Sequence, residues 1–325
     1  MGTYFLTGCA GFIGAYVARE LLEAGHEVIG VDNLNDAYDP RLKDWRLKRL
    51  VGEQNFTFQK VDIVDRDALE TAWGDRDYDG VINLAARAGV RPSVRTPRIY
   101  YEANLLGALN VLNLARENGV PKFVQASTSS LYGLNNPRPY SEDADTSRPL
   151  SPYAASKGAV ESLCHSYHYL HEMDITILRY FTVYGPAGRP DMSIFRFVQW
   201  IAEERPLILY GDGEQERDFT YVEDIARGTV AALRPSGYEV INLGGDRPVK
   251  MNKLIELIEA RLGKDAHIER HDPAPGDMPA TWADISKAHE LLDWQPQAKL
   301  EQGLDLTVAW YLQEREWAQT VDTTD

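Results

Sequence analysis

Tyr153 and Lys157 stand four residues apart, and on a helix that spacing puts both side chains on one face. A free phenol titrates near pH ~10 and is a poor base at neutral pH. An ammonium beside it, or a cationic ring, stabilises the phenolate and lowers that value. Such a pair can take the proton from a carbinol while a hydride leaves the same carbon. Of the 17 tyrosines, only Tyr153 is followed by lysine at this spacing. Upstream, Ser127-Thr128-Ser129-Ser130 collects hydroxyls at the end of an apolar run, where they could donate to the carbinol oxygen.

Chemistry of this kind needs a hydride acceptor, and the N-terminal stretch offers a place for one. Tyr4 to Leu6 reads as a buried strand, followed by Gly8, Gly11 and Gly14, then by Ile13, Val17, Leu21 and Leu22 at helical spacing. Gly8 allows the tight turn, Gly11 lets a pyrophosphate reach the backbone, and Gly14 lets the helix pack on the sheet. The helix N-terminus then turns its N–H groups to the phosphates. A second apolar run, Glu27 to Val31, ends in Asp32. Its carboxylate would accept from an adenosine 2′-hydroxyl and repel a 2′-phosphate, which favours NAD over NADP.

The elements that must position these groups alternate. Strands are expected at Phe56–Val61, Gly80–Leu84, Lys122–Ala126 and Ile175–Tyr180. Helices are expected at Arg41–Leu50, Asp67–Trp73, Tyr100–Asn118 and Pro152–His171, the last with Ser151 as N-cap and Pro152 at its first position. This is the α/β pattern of a Rossmann-type doubly wound parallel sheet. Pro- and Gly-bearing loops after residue 181 interrupt shorter elements, and Tyr238–Leu243 looks like a late strand of the main sheet. A dinucleotide domain over 1–181 and about 222–245 is therefore expected, with a smaller, interleaved C-terminal α/β substrate domain over about 182–221 and 246–325.

With 325 residues, 44% hydrophobic, the chain can bury a large core. Its net charge of −15 argues against nucleic acid or an anionic membrane as partner. No stretch is long and apolar enough to span a bilayer. Two cysteines, Cys9 and Cys164, imply no disulfide framework and fit a reducing compartment such as the cytoplasm. His165, His168 and His171 follow Cys164 on the Tyr153 helix, but their spacing drifts off one face and no carboxylate completes a set, so no metal is expected.

Thr7-Gly8 to Gly14, Asp32-Asn33, Asp62-Ile63, Ala126 to Gly133, Tyr153-x-x-x-Lys157 and Arg179 to Thr182 together resemble the extended short-chain dehydrogenase/reductase family. Within it they are similar to the nucleotide-sugar 4-epimerases, as are Arg217 to Tyr221 and Trp282 to Asp284. The runs Asp32 to Asp36, Ala88 to Arg91, Phe181 to Gly185 and Gly188 to Met192 most resemble the UDP-glucuronate 4-epimerases. The resemblance implies Tyr153 as base, Lys157 as its partner and Thr128 as the hydroxyl that orients the C4 oxygen. It implies a tightly bound NAD held by Gly8, Gly11, Phe12, Ile13, Gly14, Asp32, Asn33, Asp62, Ile63, Leu84, Ala85, Ala86, Tyr153, Lys157, Tyr180 and Val183. Ile208 and Tyr210 would flank the uracil and Asp277 the uridine ribose. Arg217, Arg189 and Arg196 would meet the diphosphate, although galactose epimerases often carry an arginine where this chain has Ala274. The helices Tyr100–Asn118 and Pro152–His171 resemble the family's dimer contact, which implies a homodimer.

The same resemblance separates neighbouring reactions. Similar dehydratases carry Asp-Glu after the threonine, and similar uronate decarboxylases carry Glu at the second position; here Ser129 and Ser130 stand there. Oxidation of a hexuronate at C4 gives a β-keto acid, which loses CO2 when its carboxylate aligns with the carbonyl π system. Ser129, Ser130 and Thr182 are neutral donors that could hold the carboxylate out of that alignment, with Arg91 nearby. The expected activity is interconversion of UDP-glucuronate and UDP-galacturonate by transient C4 oxidation, rotation of the 4-keto sugar and hydride return. UDP-glucose 4-epimerisation and UDP-glucuronate decarboxylation are the alternatives, and an idle NAD-binding protein is a remote third.

Overall fold

The first apolar run forms strand β1 (Thr3–Thr7), from which the main sheet extends in both directions. The structure is a computed structural model that describes residues 1–272 and 278–323. Along the chain follow β2 (Glu27–Asp32), β3 (Phe56–Lys60), β4 (Gly80–Asn83), β5 (Phe123–Thr128) and β6 (Ile175–Tyr180). Then come β7 (Thr182–Tyr184), β8 (Pro206–Tyr210), β9 (Glu216–Tyr221), β10 (Tyr238–Leu243), β11 (Pro248–Lys250) and β12 (His267–His271). The order β10-β6-β5-β4-β1-β2-β3 makes a seven-stranded sheet with every pairing parallel.

Such a sheet needs cover on both faces, and the residue types supply it. Phe5, Ile29 and Val81 point into one apolar layer, and their neighbours Leu6, Val28 and Ile82 into the other. The order reverses between β1 and β4, which opens a crevice at the carboxyl ends of these strands. A three-stranded sheet (β11-β9-β7) and a parallel pair (β12-β8) form the second region, as the looser pattern after residue 181 suggests.

The Pro152–His171 helix has the expected bounds, and the Ser151 hydroxyl caps it by accepting from the Ala154 N–H at 3.2 Å. The rings of His165 and His168 lie 5.2 and 5.3 Å from that of Tyr238, so these histidines pack against β10. Among the described residues no group of three or more His, Cys, Asp or Glu is placed to hold a metal. No described helix is long and apolar enough to cross a membrane.

The expected single helix over Tyr100–Asn118 is corrected. It consists of Pro97–Tyr100, a wider π-helical turn at Tyr101–Leu106, and Gly107–Glu117. The physical reason is Asn104, a polar residue buried to 2% exposure. Its side chain accepts from the Arg87 N–H at 2.7 Å and donates to the Arg87 carbonyl at 3.0 Å and Ser156 Oγ at 2.9 Å. The wide turn swings that amide inward, a common use of a π-bulge. At Gly107 a Cβ would sit 2.6 Å from Ile63 Cδ1, so a larger residue there would push the Ile63 side chain aside.

A second short helix, Pro40–Leu47, has no clear apolar stripe. Beside Leu42 its buried face carries two cations, Lys43 and Arg46, at 5% and 2% exposure.

Candidate active site

A cleft of about 1130 Å³ opens at the carboxyl ends of the main strands. Every described residue assigned to the site by sequence lines it. The dinucleotide side holds Gly8, Gly11, Phe12, Ile13, Gly14, Asp32, Asn33, Asp62, Ile63, Leu84, Ala85 and Ala86. Thr128, Ser129, Ser130, Tyr153, Lys157, Tyr180, Thr182 and Val183 stand at the centre. Arg91, Arg189, Arg196, Ile208, Tyr210 and Arg217 line the far end. Asp277 and Ala274 lie outside the described residues.

At the dinucleotide end, a Cβ on Gly14 would sit 2.0 Å from the Gly8 carbonyl oxygen, so helix Phe12–Glu23 rests directly on the glycine turn. That helix starts without a side-chain cap, which suits an anion at its first N–H groups. Asp32 Oδ1 accepts from the Leu34 N–H at 2.8 Å, and the Lys43 ammonium stands 3.6 Å from the same oxygen. Burial pulls the Lys43 pKa down, against the charge of Asp32. Lys43 also donates to Asn35 Oδ1 at 3.1 Å, while Asn33 donates to Asp62 at 2.9 Å. The acid at the end of β2, the glycine cradle and the uncapped helix fit NAD.

At the centre, Thr128 closes β5, and its hydroxyl accepts from the Ser130 N–H at 3.1 Å. Burial raises the Tyr153 phenol above its usual value, whereas the Thr128 hydroxyl and the charge of Arg189 lower it. Tyr153 and Lys157 share a face as their spacing predicts, and the charge of Asp191 opposes that of Arg189 at the phenol. The Lys157 ammonium donates to the Ala126 carbonyl at 2.9 Å. Burial brings Lys157 down to about 8, with Glu161 opposing the fall. Glu161 is itself gripped by Arg179, at 3.0 and 2.7 Å. Arg189 pairs with Asp191 through two nitrogens. The ring of Tyr100 stands edge-on to Tyr153 at 6.2 Å, and the Tyr180 hydroxyl is turned to Thr229 at 2.9 Å.

Toward the far end, the Arg91 guanidinium lies 4.1 Å over the ring of Tyr210, and that of Arg196 lies 5.7 Å from Trp200. Arg217 donates to the carbonyl of Glu216 at 2.8 Å. An annex of about 150 Å³ opens beside the hydroxyl cluster, lined by Val90, Arg91, Ser129, Ser130, Leu150, Ser151, Thr182, Arg217, Met278 and Thr281. None of these is acidic.

Sequence reasoning missed Lys43, Asn104, Tyr100 and Asp191. Lys43 lies in a charged helix that reads as a solvated face, and Asn104 in what reads as one continuous helix. Asp191 carried a signal, because an acid two residues after an arginine can hold it in a fork.

The model of the NAD dependent epimerase/dehydratase family matches residues 4–244. A UDP-glucuronate 4-epimerase of Thermodesulfobacterium geofontis is 53% identical over 311 residues, covering 95% of this chain and 96% of that protein. A Bacillus cereus UDP-glucuronic acid 4-epimerase, solved with UDP-glucuronic acid and NAD, is 38% identical; the match covers 96% of this chain and 99% of that one, with a TM-score of 0.89. The UDP-glucose 4-epimerase of Thermotoga maritima, solved with UDP-glucose, is 32% identical with the same coverage and a TM-score of 0.89. A glycine cradle ending in a ribose-side acid, a buried Tyr–Lys helix and these likenesses over nearly the full chain have one common account: the chain belongs to the NAD dependent epimerase/dehydratase family.

Proposed function

We propose that this protein is a UDP-glucuronate 4-epimerase that interconverts UDP-glucuronate and UDP-galacturonate with tightly bound NAD. The observation that carries the uronate reading is the annex where Ser129, Ser130 and Thr182 meet Arg91 and Arg217, with no acid among its described lining residues. A carboxylate on C5 finds neutral donors and positive charge there, and no like charge among the described residues.

NAD, when bound, supplies the acceptor and donor of the C4 hydride. Gly8, Gly11 and Gly14 with the helix start hold its diphosphate, and Asp32, with Lys43 beside it, holds the adenosine ribose. Asn33, Asp62 and Ile63 border the adenine, while Ala85, Ala86, Tyr180 and Val183 run along the remainder. Tyr153 removes the proton from the sugar 4-hydroxyl and later returns it, and Thr128 fixes that oxygen. The positive charges of Lys157 and Arg189 favour the phenolate during this transfer. Holding the carboxylate in the annex keeps the 4-keto sugar from losing CO2 while it turns its other face. Arg189, Arg196 and Arg217 suit the substrate diphosphate because a planar guanidinium pairs two phosphate oxygens. Ile208 and Tyr210 flank the uracil, and Asp277 serves the uridine ribose.

Residues 1–181 and about 222–245 serve as the dinucleotide domain in this reading, and the remainder as the sugar-nucleotide domain. A cytoplasmic homodimer completes it, joined through the faces of the Tyr101–Glu117 and Pro152–His171 segments that expose Leu106, Tyr169 and Leu170. The deciding test is incubation of the purified protein with UDP-glucuronate, followed by proton NMR. UDP-galacturonate without CO2 is the expected product. A UDP-pentose would make the protein a decarboxylase, and turnover of UDP-glucose alone would remove the carboxylate role from the annex.

A further inference from the structure

Arg46 is among the largest fully buried side chains of the protein, and among the described residues it makes no ion pair. Its guanidinium instead donates to carbonyls of two separate loops. Nε and Nη2 reach the Ala187 carbonyl at 3.0 and 2.7 Å, and Nη2 also reaches the Gly188 carbonyl at 3.3 Å. Nη1 reaches the Ala10 carbonyl, inside the Gly8–Gly14 turn, at 3.3 Å. It also donates to the Tyr38 hydroxyl at 2.7 Å. A buried arginine is retained at such a cost of desolvation only where its fork is well used.

The loop it grips is not at rest by itself. Ala187 has φ +50°, in the left-handed region that an alanine enters only when contacts hold it there. The next carbonyl upstream, that of Pro186, accepts from the Tyr16 hydroxyl at 3.1 Å. Three consecutive carbonyls are thus held by side chains from elements that flank the dinucleotide turn. Directly after Gly188 comes Arg189, which lines the same cleft as Tyr153 and is held there by Asp191 through two nitrogens.

We infer that Arg46 is a positioning residue that fixes the strained Pro186–Gly188 turn and through it sets Arg189 against Tyr153, tying the reacting centre to the dinucleotide loop. The inference rests on the proposed role of Tyr153. It assigns to the Pro40–Leu47 helix a task toward the sugar side that its position on the cofactor side does not suggest.

The test is Arg46→Lys, prepared as holoenzyme and assayed with UDP-glucuronate. Lysine keeps the charge and loses the fork. NAD content should stay near that of the parent, kcat should fall ~10–100-fold as Arg189 shifts from its place, and KM should rise as well because Arg189 also meets the substrate diphosphate. Adding Ala187→Gly removes the strain that the fork holds, and should restore part of the lost kcat. An unchanged kcat in the folded variant overturns the inference. So does a fall that merely tracks lost NAD, or no recovery with glycine at 187. If Arg46→Lys does not fold, Tyr16→Phe removes the neighbouring anchor on Pro186 and should lower kcat in the same direction; no effect there also overturns it. If the parent itself leaves UDP-glucuronate unchanged, the proposed substrate fails, and the comparison is run on whichever UDP-sugar the parent turns over.

Discussion

Tyr153→Phe keeps the ring that packs beside Tyr100 and removes the proposed acid–base oxygen. Activity should drop ~10²–10⁴-fold with NAD still bound, checked by turnover and by the absorbance of the denatured supernatant. Lys157 allows a second test, because burial has brought it to about 8 from 10.5. Below pH 8 both folded and unfolded chains hold the proton, and the cost of burying that charge, on the order of 3 kcal/mol, is fully present. Between pH 8 and 10.5 the unfolded chain binds more protons, so stability rises with pH; above 10.5 the cost is gone. Lys157→Met, after losing about 1 kcal/mol with the Ala126 hydrogen bond, should therefore be about 2 kcal/mol more stable than the parent at pH 7. It should lose that gain above pH 10.5, as urea midpoints at the two pH values would show. Changing Ser129, Ser130 and Thr182 together to alanine should weaken uronate binding and raise the share of UDP-pentose product, read by NMR. These residues were legible in the sequence because each has a type its proposed task demands: a phenol, an ammonium, hydroxyls without an acid. Lys43 and Arg46 were not, since a cation in a charged helix reads as solvated until its neighbours in space are known.

Between residue and fold stand the elements, and there the π-helical turn at Tyr101–Leu106 matters most. It places Asn104 so that one amide joins the loop after β4 to the helix bearing Tyr153. Asn104→Ala leaves the Arg87 N–H and carbonyl without that partner, and should cost ~1–3 kcal/mol by denaturant titration. It should also lower kcat more than KM, because the Tyr153 helix loses its tie to the opposite wall. Period-based reading found Ser151 as N-cap, the bounds of the Pro152–His171 helix and the β10 strand, where apolar spacing and caps agree. It missed the π turn because one extra residue per turn leaves the apolar pattern of a helix nearly intact over a few residues. The role of Asn104 was hidden for the same reason.

Across the whole molecule, charge and exposed apolar surface act together. A net charge of −15 keeps copies apart unless a specific face overcomes it. Tyr169, Leu170 and Leu106, exposed to 77%, 66% and 47%, are apolar side chains that the two helices of the proposed dimer contact leave uncovered. Tyr169→Glu with Leu106→Glu should turn the proposed dimer into a monomer in light scattering, while each folded chain keeps its NAD. The doubly wound parallel sheet and its late strand β10 were readable from the alternation of elements. How the second region meets the first was not, because β7 and β9 pair across a long stretch of sequence that local patterns do not connect.

Strand β10 has a further consequence, for how the protein is made. It is the outer neighbour of β6, yet it follows β6 only after the intervening β7, β8 and β9. A ribosome adding ~5–20 residues per second needs several seconds to produce those roughly sixty residues. During that interval the nascent chain carries an open, Ile-rich strand edge on an otherwise finished sheet, with unpaired N–H and C=O groups facing outward. Slow synthesis in this stretch should therefore favour aggregation, and a chaperone that shields strand edges should raise the yield of native protein.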